Sequence, residues 1–216
     1  MKEVSVQELQ LNPMTLIAKE WMLITAGNKA RGFNTMTASW GHLGSIWGHG
    51  GGLPTAVVYL RPQRYTKEFV DREELFTISV FPEQYKKDLG YLGVVSGRDK
   101  DKLAATKLTP VFEDETTYFA QAKLVLVCRK LYRGSINADG FVDQSIIAEH
   151  YPKSDFHDFY IGQIIKAFVQ EPYERENFEK VNKIACDANV KEARIQAFMF
   201  PFMRAVTGLS MALAIG

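Results

Sequence analysis

Cysteine is scarce. The 216 residues include two, Cys128 and Cys186, 58 positions apart, with no CxxC pair and no grouping of cysteine with histidine. That argues against a disulfide framework or a structural zinc site and fits two reduced thiols of a cytoplasmic protein. Net charge is nearly absent as well. The 26 Lys+Arg against 25 Asp+Glu leave +1 at pH 7, which removes the electrostatic footprint of a general nucleic-acid binder and leaves room only for local basic pockets. The opening residues, MKEVSVQELQLNP, lack the apolar core of a secretion signal. Neither GxGxxG nor GxxxxGK[ST] occurs, although Gly41 to Gly52 holds six glycines. This stretch reads as a flexible loop between strands. Its His42 and His49 have no third ligand nearby in the sequence, so no metal site is expected.

What is present is a series of short apolar runs bounded by Gly, Pro or charge: Trp21 to Ala26, Thr55 to Leu60, Leu75 to Phe81, Ala120 to Tyr132 and Phe156 to Val169, the last interrupted by Gly162. They predict strands, the fourth long enough to bend. Short helices are predicted at Thr66 to Glu74, Glu83 to Leu92 and Asp99 to Ala105, each opening on a residue that can cap orphan backbone N–H groups. Strands do not alternate with long amphipathic helices, so a doubly wound sheet is excluded. The fold class is mainly β with short helices, arranged as a β-barrel with helical decorations.

The character changes near Val169. Glu171 to Gln196 is charged and helix-favouring, with six acidic and five basic residues. Ala197 to Gly216 holds fourteen apolar residues. A membrane span there would bury Arg204 near its centre at about 2.5 to 3.5 kcal/mol, so no membrane partner is expected. A helix packing Ile195, Phe198, Met199, Phe202, Val206, Leu209 and Leu213 against the body or a partner chain is preferred. The organisation is therefore a domain over 1–170 and a helical C-terminal extension over 171–216.

Three polar stretches carry anion-binding chemistry: NTMTASW (Asn34 to Trp40), RPQRYT (Arg61 to Thr66) and SGRDKDK (Ser96 to Lys102). Thr66 can cap the following helix, so that backbone N–H groups, its hydroxyl and Arg64 converge on one phosphate. Ser96 and Gly97 permit a tight turn, after which Arg98, Lys100 and Lys102 add positive charge. Singly, each has an ordinary structural explanation, as a capped helix or a solvated charge pair.

Taken in order, NTMTASW, RPQRYTKEF, LFTISVF, GYLGVVSGRDKDK, AKLVLVCRKLY and HDFYIGQI resemble the flavin reductase-like family of FMN-binding split barrels, from about Trp21 to Val169. The sequence departs from the family pattern in the longer Gly-rich stretch Trp47 to Gly52 and in the tail beyond Val169. The resemblance implies an FMN-binding split β-barrel. Asn34, Thr35, Met36, Thr37, Ala38, Ser39 and Trp40 would line the isoalloxazine, with Met36 and Trp40 as apolar walls. Arg64, Tyr65 and Thr66 would hold the ribityl phosphate, joined by Ser96, Gly97, Arg98 and Lys102. His157 would stand near the open face where a nicotinamide docks; the plain alternative is a surface histidine at a strand start. The resemblance implies hydride transfer from NADH or NADPH to FMN. This is chemistry carried by the two cofactors, so no acid–base dyad is needed, and none is evident. It further implies a cytoplasmic homodimer passing electrons to free flavin, an acceptor protein or a small acceptor. Two alternatives stay open: an electron carrier of flavoredoxin type that keeps its FMN, and a non-catalytic flavin-binding protein.

Overall fold

The computed structural model describes residues 1–170 together with Lys183, Cys186, residues 190–197, Met199 and Met203. The chain divides into two units, Met1–Glu171 and Pro172–Gly216. In the second, the described residues are helical, and Ile195, Met199 and Met203 are exposed. The remaining members of the apolar stripe lie outside the described residues. Among the described residues no helix is long and apolar enough to cross a membrane.

The first unit is built on an eight-stranded antiparallel sheet. Seven strands follow the order β3 (Gly32–Ala38), β2 (Met22–Asn28), β6 (Leu75–Val80), β9 (Leu124–Ser135), β10 (Asp158–Val169), β5 (Leu53–Leu60) and β4 (Gly41–Ile46). The eighth, β1 (Lys2–Val4), pairs with the end of β10. A separate hairpin is made by β7 (Pro110–Glu113) and β8 (Thr116–Phe119). Helix α1 (Pro13–Thr15), capped by the Asn12 side chain, runs into a π-helical turn at Leu16–Glu20. Helices α2 (Tyr65–Arg72), α3 (Lys86–Val94) and α4 (Ser145–His150) complete the unit.

Each apolar run predicted as a strand forms one, and along β2 and the first half of β9 both faces are covered. All seven residues of β2 are buried, as are the first five of β9. One core cluster packs Leu23 and Val125 with Leu89 and Leu92 of α3 and Phe119 of β8. Complete burial of a Leu or Phe side chain contributes roughly 1.5–3 kcal/mol. Gly162 belongs to β10, where a Cβ would lie 2.7 Å from the Phe76 ring and 2.9 Å from Cys128 Cβ. The register shifts at that residue rather than the strand ending.

Three expectations need correction. The sheet stays open, because β3 and β4 end the strand order and do not pair with each other. The first half of the Gly-rich stretch is strand β4, paired to β5 from Gly41↔Val58 to Ile46↔Leu53. Only 47–52 form the hairpin turn, where Trp47, Gly48, Gly50, Gly51 and Gly52 take positive φ. No helix forms over Asp99 to Ala105; the chain turns there. Asp101 Oδ1 accepts from the Leu103 and Ala104 N–H groups, a local side-chain bond that competes with helix.

Helix α2 is fixed to the sheet by charge. Lys130 Nζ donates to the Val70 and Asp71 carbonyls at 2.5 and 2.8 Å, placing a cation on the last turn. Lys67 bridges Asp71 at 2.7 Å and Asp158 at 2.9 Å, while the Tyr160 hydroxyl donates to Asp71 at 2.7 Å. These contacts determine where the start of α2, with Arg64 to Thr66, meets the end of β3.

Candidate functional site

Two cavities open along β3 and the start of α2. The first, of about 230 Å³, is lined by Met36 to Trp40, Tyr59, Arg61, Arg64 and His157. The second, of about 420 Å³, takes Asn34, Tyr65, Gly97 and Lys102 into its lining. Segments separated by more than sixty residues in sequence therefore meet at one place. Met36 and Ala38 are buried, and Trp40 is 41 % exposed. Thr37 donates its hydroxyl to the Leu89 carbonyl at 2.5 Å. Thr35 lines neither cavity: it is fully buried, with its hydroxyl 2.8 Å from that of Thr25 and donating to Ile24 O.

The site's electrostatics centre on Arg64 and Lys102. Lys102 is 5 % exposed and donates to the Val95 carbonyl at 3.4 Å. Burial, with the Arg64 charge second, brings its pKa down to about 8. Arg64 donates to the Gly93 carbonyl at 2.6 Å, and burial followed by the Arg61 charge lowers its pKa as well. Among the described residues neither has a carboxylate partner. Two partly desolvated cations held without a counter-charge repel each other, and an anion bound between them would relieve that cost. Beside them Asn34 Nδ2 donates to Thr66 Oγ1 at 3.1 Å. Thr66 is not the helix cap, a position that belongs to Arg64; it sits buried in the first turn instead. A Cβ at Gly97 would fall 2.6 Å from Asn34 Oδ1, so only glycine leaves that cradle open.

Ser96 and Arg98 are committed within the protein. Ser96 Oγ accepts from Arg98 N–H at 3.2 Å. The Arg98 guanidinium lies 4.8 Å over the Tyr65 ring, donates to Gln63 O at 3.0 Å and pairs with Glu68.

His157 is 7 % exposed, just before β10, which removes the surface-histidine alternative. Its Nδ1 is 2.9 Å from the Tyr151 hydroxyl, and its ring centroid is 5.0 Å from that of Trp40. Burial, reinforced by the Arg61 charge, lowers its pKa to about 4, so the imidazole is neutral at pH 7. Three residues of this wall escaped the sequence reading. Arg61 pairs with Asp155, donates to His150 O at 2.8 Å and lies 5.3 Å over the Tyr151 ring. Tyr59 holds His42 Nδ1 at 3.2 Å. Arg61 opens the RPQRYT stretch, where it was given no role, and Tyr59 lies two residues before it, so both were within reach of a motif-based reading; Tyr151 lies in a segment with no pattern to mark it.

The site thus offers an aromatic and backbone-lined slot joined to a cationic, glycine-floored end, suited to a planar ring carrying an anionic arm. No family model matches the sequence, and no curated protein matches it. Solved structures do. An FMN-binding domain of a flavin reductases-like enzyme from Shewanella baltica is similar at a TM-score of 0.54 and 16 % identity, covering 78 % of this chain and 76 % of that one. Flavoredoxin of Desulfovibrio vulgaris gives 0.53 and 22 %, covering 80 % and 78 %. The NADH:FAD oxidoreductase of Streptomyces globisporus gives 0.53 and 14 %, covering 70 % and 75 %. These likenesses establish the fold, that of the FMN-binding split barrels, with the sheet left open between β3 and β4.

Proposed function

We propose that this chain is a flavoprotein oxidoreductase that binds FMN and reduces it with NADH or NADPH. The observation that carries the reading is the pair of a buried Lys102 and a partly buried Arg64, uncompensated among the described residues and set against Asn34, Thr66 and Gly97. That donor set fits a phosphate monoester, which carries close to two negative charges at pH 7. When bound, the flavin supplies hydride and electron transfer at its ring. The protein's part is to bind, orient and exclude water. In this reading Lys102 and Arg64 neutralise the phosphate. Asn34 fixes the Thr66 hydroxyl beside it. Backbone groups of Thr37 to Ser39 meet the polar edge of the ring, with Met36 and Trp40 as its walls. Neutral His157, oriented by Tyr151, positions the nicotinamide rather than giving up a proton. The resemblance supports a cytoplasmic homodimer that hands electrons to free flavin, an acceptor protein or a small acceptor.

The visible spectrum of the purified protein, before and after anaerobic addition of NADH or NADPH, tests the proposal. Rapid bleaching of bound FMN is the expected result. A yellow protein that bleaches slowly would place it with electron carriers instead, and a colourless protein that ignores added FMN would overturn the flavin reading.

A further inference from the structure

Beside the aromatic slot lies a larger cavity that the flavin reading leaves unused. It has about 610 Å³, within the roughly 300–1,000 Å³ usual for a small-molecule pocket. Pro13, Met14, Ile17 and Ala18 form one part of its lining, and Trp40, Leu43 and Tyr59 another. Among the described residues that line it there is no Asp, Glu, Lys or Arg. A phosphate or carboxylate held there would have no counter-charge, so a nucleotide is a poor occupant and an uncharged molecule a good one.

The cavity is also placed for chemistry. Ser39, Trp40 and Tyr59 line both it and the slot, so a molecule held here lies along the wall of the proposed flavin ring. Trp40 and Tyr59 give aromatic surfaces for a flat ring. The Ser39 hydroxyl makes no hydrogen bond among the described residues and can donate to a ligand oxygen. Burial raises the pKa of Tyr59, so its hydroxyl keeps its proton and, 3.2 Å from His42 Nδ1, adds an uncharged polar edge. The backbone marks the same place. Ile17 and Ala18 belong to the π-helical turn Leu16–Glu20, which ends on Trp21 at a φ of 68°. Irregular turns and left-handed non-glycine residues concentrate at functional sites, and this one supplies no residue to either cavity of the flavin site.

We propose that this cavity binds a quinone, a flat uncharged ring with carbonyl oxygens, as the acceptor of the electrons that the nicotinamide supplies. The binding site stands on the cavity alone, while the acceptor role rests on the flavin reading above. In the net reaction NAD(P)H loses a hydride, which is one proton and two electrons. The quinone gains these and a second proton from water to become the hydroquinone.

Equilibrium dialysis of the whole protein against duroquinone tests the site; its fully methylated ring cannot alkylate the exposed Cys186. One quinone per chain is expected to bind with a dissociation constant of roughly 100 µM or tighter, and added FMN should change that constant by less than about threefold. Ala18→Phe, at an exposed position, should fill the cavity and weaken quinone binding at least tenfold while FMN affinity stays within about threefold. Should that variant not fold, Leu43→Ala on the edge strand β4 should weaken the quinone severalfold. With NAD(P)H, the FMN-loaded protein should reduce duroquinone, and Ala18→Phe should raise the KM for the quinone and not that for NAD(P)H. Absence of saturable binding, equal binding by Ala18→Phe, or displacement of the quinone by FMN overturns the inference and leaves the flavin reading standing. Binding without reduction by a protein whose FMN is bleached by NAD(P)H overturns the acceptor role. Quinone binding by a protein that takes no flavin overturns that role together with the flavin reading.

Discussion

Lys102 is where function and stability pull in opposite directions, and Lys102→Met separates them. The wild-type ammonium is almost completely buried beside Arg64 with no carboxylate among the described residues. In the ligand-free protein it is therefore a cost, and a methionine of similar shape removes it. A charge-assisted hydrogen bond to phosphate contributes about 1.5–3 kcal/mol, so the variant should bind FMN roughly 10- to 150-fold more weakly. Riboflavin, which lacks the phosphate, should bind as before, and the melting temperature of the ligand-free protein should hold or rise. pH gives a second handle. With a pKa of about 8 in the free protein, Lys102 is about nine-tenths charged at pH 7 and about one-tenth at pH 9, while a phosphate monoester is already a dianion above about pH 6. FMN affinity should consequently fall roughly tenfold between pH 7 and 9. Ligand-free stability moves the other way. The lysine pKa is lower folded than unfolded, so between about 8 and its ordinary value the unfolded chain binds more protons, and stability rises with pH. Isothermal titration with FMN and riboflavin at both pH values, beside thermal melts, reads all of this. Equal losses for the two ligands in Lys102→Met, or FMN affinity flat from pH 7 to 9, would remove Lys102 from the phosphate site.

His157→Ala should raise KM for NAD(P)H more than it lowers kcat, because a neutral, positioning imidazole is lost; a kcat drop beyond about 100-fold at constant KM would make it a proton donor. Its pKa near 4, below the unfolded value, means that its contribution to stability is full above about pH 6.5 and is lost as pH falls towards 4, a slope that acid melts should show in the wild type and not in the variant. Gly97→Ala should push the Asn34 amide off Thr66 and weaken FMN binding at least tenfold with little change in far-ultraviolet circular dichroism; unchanged FMN affinity would show that the cradle is not used. Thiol titration should find Cys186 reactive in the native protein and Cys128 only after denaturation, since Cys128 is fully buried and burial raises its pKa; two fast thiols would contradict the packing of β9.

Hydrophobic runs by themselves determined β2, β5, β6, β9 and β10: β2, β6 and the first half of β9 are buried nearly throughout, while β5 and most of β10 alternate buried and partly exposed residues. The start of α2 was equally legible, and the three polar stretches stood out as candidate anion-binding segments. The strands that flank the opening were not. β3 carries the polar NTMT residues, and β4 is glycine-rich and mostly exposed, so neither leaves an apolar run to read; their partners supply the backbone bonds that define them. Asp101 and Lys102 looked helical in sequence, yet the Asx turn and the inward Lys102 depend on where α3 and α2 sit. What only the tertiary structure decided is which charges go unanswered. Lysine beside aspartate in SGRDKDK suggests a solvated pair, and it takes the tertiary packing to make Lys102 a buried cation beside the Arg64 charge, with no carboxylate partner among the described residues.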